Sequence, residues 1–262
     1  MRSGYWQDST SADFSRLDPE RTVALLPVAA IEQHGPHLPL STDAVINEGL
    51  VRAALAKMGA EATLLVLPAL NVGLSPEHVS FGGTLSIADM TLADVWTDVG
   101  RSVARAGVRK LIIFNTHGGQ KSLVDLVAMR LRGELGMLVV RATYFAFGAP
   151  PGLFGGSELA HDIHGGEVET SLMLHLNPGL VRTGALQDFR GLPQELAQRN
   201  ELLGAEKPVG IGWRSEDLHP AGVCGNAARA DALRGAQHLD FLADRLVRLI
   251  GEVAATPLSI LR

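Results

Sequence analysis

Short apolar runs and longer amphipathic stretches take turns along this chain. Thr22–Ala29, Ala62–Leu70, Lys110–Asn115 and Met137–Ala142 are nearly continuous in apolar residues, which predicts strands buried on both faces. Between them, Ala44–Met58, Leu92–Ala106 and Ser122–Leu135 carry apolar residues at helical spacing. Gly59, Gly107 and Gly136 stand where the turn after each helix would fall. Such alternation implies an α/β fold, a mostly parallel sheet with helices on both faces. Ala230–Val253 reads as a long amphipathic helix packed on the outside. The segments 144–156 and 204–225, rich in Gly and Pro, read as long loops with room for a site. No repeat interrupts the pattern, and residues 1–262 read as one domain.

Composition narrows the function. At 262 residues and 46% hydrophobic, the chain can bury one sizeable core. A net charge of -5 without clustered Lys and Arg argues against a nucleic-acid partner. Cys224 is the single cysteine, so no internal disulfide can form and a reducing compartment fits. Met1–Asp18 has no apolar core of a signal peptide, and no apolar run approaches the roughly 20 residues of a spanning helix. The expectation is a cytoplasmic protein with a small-molecule substrate and no membrane partner.

Three clusters carry the candidate chemistry. The first follows the first strand: Glu32-Gln33-His34-Gly35-Pro36-His37, then Leu38-Pro39-Leu40-Ser41-Thr42-Asp43. Loops at the carboxyl ends of parallel strands are where α/β folds bind ligands. Glu32 and His34 are two apart and project from the same side of an extended segment. Asp43 arrives at the start of the next helix. Singly, Asp43 could be a helix N-cap and Glu32 a surface carboxylate; together the three favour a metal site. The second cluster ends the third strand as Asn115-Thr116-His117-Gly118-Gly119-Gln120. It offers His117 as a fourth ligand, and two glycines where backbone can approach a substrate.

The third cluster, His161-Asp162-Ile163-His164-Gly165-Gly166-Glu167-Val168-Glu169-Thr170-Ser171, opens a helix from Glu167 to Leu176. That helix would separate Glu167 and Glu169 by about 200°, so one faces the site while the other caps the helix or faces solvent. Spacing alone leaves open which is the fifth ligand. Glu167 is taken as a catalytic candidate together with a histidine of this cluster, His161 or His164. His78, beside Phe81 and Gly82-Gly83, is a candidate substrate wall with Gly118 and Gly119. His37 is expected behind the ligands, His175 and His238 on helices away from the site, and His219 has no assigned role. The pooled nitrogen and oxygen donors suit zinc, manganese or ferrous iron. Their number exceeds one tetrahedral site, so two divalent ions bridged by Asp43 fit better. Such a pair, roughly 3.5–4 Å apart, can hold a hydroxide and polarise the carbonyl it attacks.

In chain order these segments resemble the creatininase (creatinine amidohydrolase) family. The resemblance runs from Leu26-Pro27-Val28 and the first cluster through His78-Val79-Ser80-Phe81-Gly82-Gly83-Thr84. It continues with Asn115-Thr116-His117-Gly118-Gly119 and His164–Ser171, and ends at Gly222-Val223-Cys224-Gly225-Asn226. It implies a three-layer α/β/α sandwich with a dinuclear metal centre, often in a homohexamer. By motif it makes Glu32, His34, Asp43, His117 and Glu169 metal ligands, with Asp43 bridging, and gives proton transfer to His164 rather than His161. Members that hydrolyse creatinine resemble one another in a Tyr-Glu pair directly after the metal-binding histidine, the Glu serving as a ligand; Gly118-Gly119 stand here. They also carry tryptophans near the third motif, whereas Trp6, Trp96 and Trp213 lie elsewhere.

The expected activity is therefore metal-dependent hydrolysis of a non-peptide C–N bond (amide, formamide or cyclic amide), with creatinine itself a poor candidate. Members similar in the glycine pair include a formamidopyrimidine deformylase and a peptidase of mycofactocin maturation. The alternatives are that peptidase role in cofactor maturation, or hydrolysis of a lactone or inosose-type sugar. A nucleotide-binding module is disfavoured because no G-x-G-x-x-G or P-loop follows a predicted strand. A serine hydrolase is disfavoured because no G-x-S-x-G occurs.

Overall fold

The computed structural model describes residues 3–262. Its main sheet has five strands: β1 (Gly4–Tyr5), β2 (Thr22–Val28), β3 (Thr63–Val66), β4 (Lys110–Asn115) and β5 (Leu138–Thr143). They lie in the order β1-β3-β2-β4-β5, and every pairing is parallel. β2 and β4 are buried along their whole length, which explains their unbroken apolar sequence. Alternate side chains feed opposite faces. Val23, Leu25, Ile112 and Phe114 join one core; Ala24, Leu26, Leu111 and Ile113 join the other.

The first core is covered by the helices Thr42–Lys57, Glu167–Leu176 and Ala232–Ala255, through Ile46, Leu50, Met173, Leu242 and Leu246. The second is covered by Asp89–Arg105 and Lys121–Leu135, through Leu92, Trp96, Val127 and Leu131. The result is the expected three-layer α/β/α sandwich. Among the described residues, no helix is long and apolar enough to cross a membrane.

The departures from the sequence reading are local. β3 ends at Val66, short of Leu70, because Pro68 cannot donate to the ladder; Leu70 keeps only an isolated bridge to Val28. β5 is an edge strand: it packs Leu138 and Val140 on one core and Val139 on the other, but it is only partly buried and Arg141 is exposed. β1 was not expected, since two residues from a polar segment carry no periodicity. Gly107 and Gly136 do take positive φ after their helices, at 91° and 63°. Gly59 does not, because the chain already leaves the helix at Met58 in an extended conformation.

The connections decide where a site can form. β2 leads into Thr42–Lys57 on one face, whereas its neighbour β4 leads into Lys121–Leu135 on the other. The two loops part above adjacent strands, leaving a crevice at the carboxyl edge. Asn47 ties the crevice floor together: its Nδ2 donates to Val28 O and Phe114 O, at 3.1 and 3.3 Å. Thr116 Oγ1 donates to the carbonyl of Asp43 at 2.9 Å.

Candidate metal centre

Four segments deliver side chains to this crevice. The β2 loop brings Glu32 and His34, and the next helix brings Asp43 in its first turn. The β4 loop brings His117, and the Glu167–Leu176 helix brings Glu169. Asp43 stands between the two histidines, with Oδ1 3.3 Å from His34 Nε2 and Oδ2 3.5 Å from His117 Nδ1. Glu32 Oε1 lies 3.1 Å from His117 Nδ1, and Glu169 Oε2 lies 3.8 Å from His34 Nε2. All five are buried. Glu32 Oε1 and Oε2, His34 Nε2 and Asp43 Oδ2 have no hydrogen-bond partner despite their burial. Buried ionisable atoms left unpaired are costly; a cation at their focus would satisfy all of them. Three donor triplets are compact enough to hold an ion around this set: His34, Asp43 and Glu169; Glu32, Glu77 and His117; and Glu32, His34 and His164.

Backbone carbonyls set the histidine tautomers. His34 Nδ1 is 3.1 Å from Glu32 O, and His117 Nε2 is 2.9 Å from Leu74 O. Since a carbonyl only accepts, those nitrogens carry protons and donate. His34 Nε2 and His117 Nδ1 are thereby turned to the carboxylates, where their lone pairs could bind an ion. Burial alone would lower the pKa of both. The carboxylates outweigh it, Asp43, Glu169 and Glu32 raising His34 to about 9, and Glu32, Asp43 and Glu77 raising His117 to about 10. Burial raises Glu169 to about 7, and burial with the charge of Glu32 raises Asp43. For Glu32 burial opposes ionisation, but His117, His78 and His164 hold it well below the usual carboxylate range.

Local sequence explains the positions. Asn115 clamps the β4 loop: its Nδ2 donates to His117 O at 2.7 Å, and its Oδ1 accepts from His117 N at 3.0 Å. Glu169 Oε2 accepts from the Gly165 amide at 2.7 Å. Gly165 has φ 70°, and a Cβ there would sit 2.6 Å from Val223, so this turn requires glycine. His164 pairs with Cys224 backbone to backbone, which draws the Gly222–Asn226 segment under the site. Burial raises the Cys224 thiol to about 12, leaving it unreactive.

His164 and His78 flank the carboxylates. The His164 ring lies 4.2 Å from His34 and 4.3 Å from His78, centroid to centroid. Its Nε2 donates to Gln33 O at 2.7 Å, so Nδ1 faces Glu32 Oε1 at 3.8 Å with a free lone pair. Burial, with His34 and His78 alongside, pushes its pKa well below 6.5, and it stays neutral. Gln33 Nε2 donates to Gly222 O and to His78 Nδ1, at 2.6 and 2.8 Å. The His78 proton is thereby left on Nε2, which points at Glu32 Oε1 from 3.5 Å. Burial lowers His78 to about 4.

These groups open into a cavity of about 1180 Å³. Gly118 and Gly119 form part of its wall; Phe145, Leu159, Ala197, Leu203 and Trp213 line the outer part. Trp213 stands edge-on to His78 at 6.4 Å, so one tryptophan does reach the site, from the 204–225 loop.

The structure therefore brings together Glu32, His34, Asp43, His78, His117, Gly118, Gly119, His164 and Glu169. It does not bring Glu167. That carboxylate is buried on the opposite side of its helix, ion-paired with Arg234 and 3.9 Å from Arg229. The roughly 200° separation of two helical positions forces this, so Glu167 is corrected from a catalytic candidate to a buried structural partner. His37 sits behind the site, its Nε2 2.9 Å from Gly165 O. His161 lines the cavity but bonds its own helix at Ser157 O. His175 is exposed, and His238 packs against Phe154. His219 caps a loop through the Ala221 amide. Sequence reasoning missed Glu77, whose Oε1 is 3.5 Å from His117 Nε2; its neighbour His78 drew the notice. It also missed Gln33, whose place between Glu32 and His34 was the available signal.

A family model described as creatininase, creatinine amidohydrolase, matches residues 7–250. The chain belongs to the creatininase family. The mycofactocin precursor peptide peptidase of Mycobacterium tuberculosis (strain CDC 1551 / Oshkosh) is 31% identical over 253 residues, covering 94% of this chain and 92% of that protein. The creatinine amidohydrolase of Pseudomonas putida is 35% identical over 175 residues, covering 61% and 66%. A solved creatininase with manganese superposes with a TM-score of 0.75 at 25% identity, covering 96% of this chain and 98% of that one. The chain is thus a creatininase-family hydrolase in fold and lineage, and manganese and zinc–zinc forms are both found among its structural neighbours.

Proposed function

We propose that this creatininase-family protein hydrolyses an amide-type C–N bond, using two divalent ions held by Glu32, His34, Asp43, His117 and Glu169. The observation that carries the reading is Asp43, which offers one oxygen to each histidine among buried donors that lack partners. Zinc or manganese ions bound there would supply an activated water and polarise the scissile carbonyl. The protein's own groups do the rest. His164 Nδ1, neutral and fixed by Gln33 O, takes up a proton from the attacking water and hands it to the departing nitrogen, which leaves poorly as an anion. His78, locked by Gln33 with its proton on Nε2, donates to the substrate carbonyl and orients it. Gly118, where an added Cβ would meet nothing within 4 Å, leaves the wall bare so that substrate backbone or ring can lie against it.

The cavity, at about 1180 Å³, lies at or above the usual 300–1,000 Å³ for small-ligand pockets, far more than a creatinine ring needs. With a peptide peptidase among the relatives, we set aside the restriction to non-peptide bonds and favour a substrate larger than creatinine. The test is hydrolysis of a panel by metal-reconstituted protein: creatinine, formamides, cyclic amides, a lactone and short peptides cleaved near a terminus. Turnover of an amide or peptide, abolished by chelation and restored by manganese or zinc, is expected. Turnover of the lactone alone, or none after full reconstitution, would overturn the proposal.

A further inference from the structure

Glu77 sits in a short 3₁₀ turn, Pro76–His78, and nothing in the proposed donor set accounts for it. Its Oε1 is buried and has no hydrogen-bond partner. It lies 3.5 Å from His117 Nε2 and 3.8 Å from His78 Nε2. The proton on His117 Nε2 is already committed to Leu74 O at 2.9 Å, so Glu77 is not there to orient that imidazole. Glu77, Glu32 and His117 each offer a donor atom within 4.8 Å of the other two. Two unpartnered carboxylates held that close repel each other unless a cation lies between them.

Gly119 makes room for this arrangement. A Cβ at residue 119 would fall 1.7 Å from Glu77 Oε1 and 2.7 Å from His117 Nε2. The Glu77 carboxylate thus occupies the volume that any side chain at 119 would fill. The carbonyl of Glu77 is held from the far side by Ser215 Oγ at 3.0 Å, so the turn is anchored at that depth.

We propose that Glu77 is a sixth metal-site donor, on the ion held by Glu32 and His117, entering through the gap that Gly119 leaves. This rests on the two-ion reading above. Charge supports it: four carboxylates (Glu32, Asp43, Glu77 and Glu169) balance two divalent cations, while the imidazoles bind as neutral ligands.

The experiment is metal stoichiometry by elemental analysis with manganese titration followed by electron paramagnetic resonance, on wild type, Glu77→Gln, Gly119→Ala and the double variant. Fewer than two manganese ions in wild type would remove the two-ion reading itself, whatever the variants do. With two in wild type, Glu77→Gln, which keeps the shape of the side chain, should bind one ion normally and the second at least 10- to 100-fold more weakly. The signal of a coupled manganese pair should then give way to that of an isolated ion. Gly119→Ala should do the same by displacing the carboxylate, and the double variant should lose no more than either single. Two ions at wild-type affinity in Glu77→Gln, with or without a lower rate, would overturn the assignment. Additive losses in the double variant would equally overturn it, because the two residues would then act through different contacts.

Discussion

Metal uptake should be steeply pH-dependent, and the structure fixes both sign and size. In metal-free protein at pH 7, His34 and His117, raised to about 9 and about 10, each hold a proton on the nitrogen that faces the carboxylates. An ion must displace that proton to bind. Below pH 9, each ion's apparent affinity should therefore rise about tenfold per pH unit, or about 1.4 kcal/mol. The product of the two affinities should rise about 100-fold per unit. Below about pH 7 the proton on Glu169, which titrates at about 7, adds to the slope, and this addition fades by pH 8. Both histidine pKa values are raised above 6.5, so in the chelated protein their stabilising contribution is complete below pH 6.5. It is lost as pH climbs through about 9 and 10. The assay is chelator competition between pH 6 and 9, with calorimetry at pH 8 in two buffers of different ionisation enthalpy; about two protons released per chain are expected. An affinity flat across that range, with no proton release, would refute the assignment of His34 Nε2 and His117 Nδ1 as binding atoms.

Asp43→Asn should lose both ions together and abolish turnover, as read by elemental analysis; retention of one ion would show that Asp43 serves only one. His164→Asn should keep its metal content while the rate falls on the order of 100-fold, and loss of metal would make His164 a ligand. Glu167→Gln should leave metal content and rate near wild type. It should cost about 2–3 kcal/mol in denaturant unfolding, less than a fully buried pair because Arg234 is a quarter exposed. A large drop in kcat at unchanged stability would return Glu167 to the catalytic set.

How much of this was legible in the sequence depended on whether a residue's role followed from its own segment. β2, β4 and the helices behind them declare themselves by apolar continuity and period. Glu32, His34, Asp43 and His117 declare themselves by lying at the carboxyl ends of those strands. Glu167 and Glu169 were separable in principle by helical phase, but phase does not say which one points inward; the contact with Arg234, 67 residues away, decides it. Glu77 was invisible because its meaning comes from a glycine 42 positions later in the chain. The exposure of β5 and the pairing of β1 depend likewise on sheet order, which periodicity does not encode.

The crevice above β2 and β4 separates two tasks along the chain. The donors come from strand ends and helix starts that the core holds rigid. The outer cavity wall comes from the 144–163 and 193–213 stretches, which lie outside the sheet. A lineage can therefore lengthen, shorten or recompose those stretches and meet new molecules while the reactive centre is inherited untouched. In the laboratory the same partition makes the wall a graft site: exchanging it between relatives should transfer preference for a substrate and leave the binding of ions as it was.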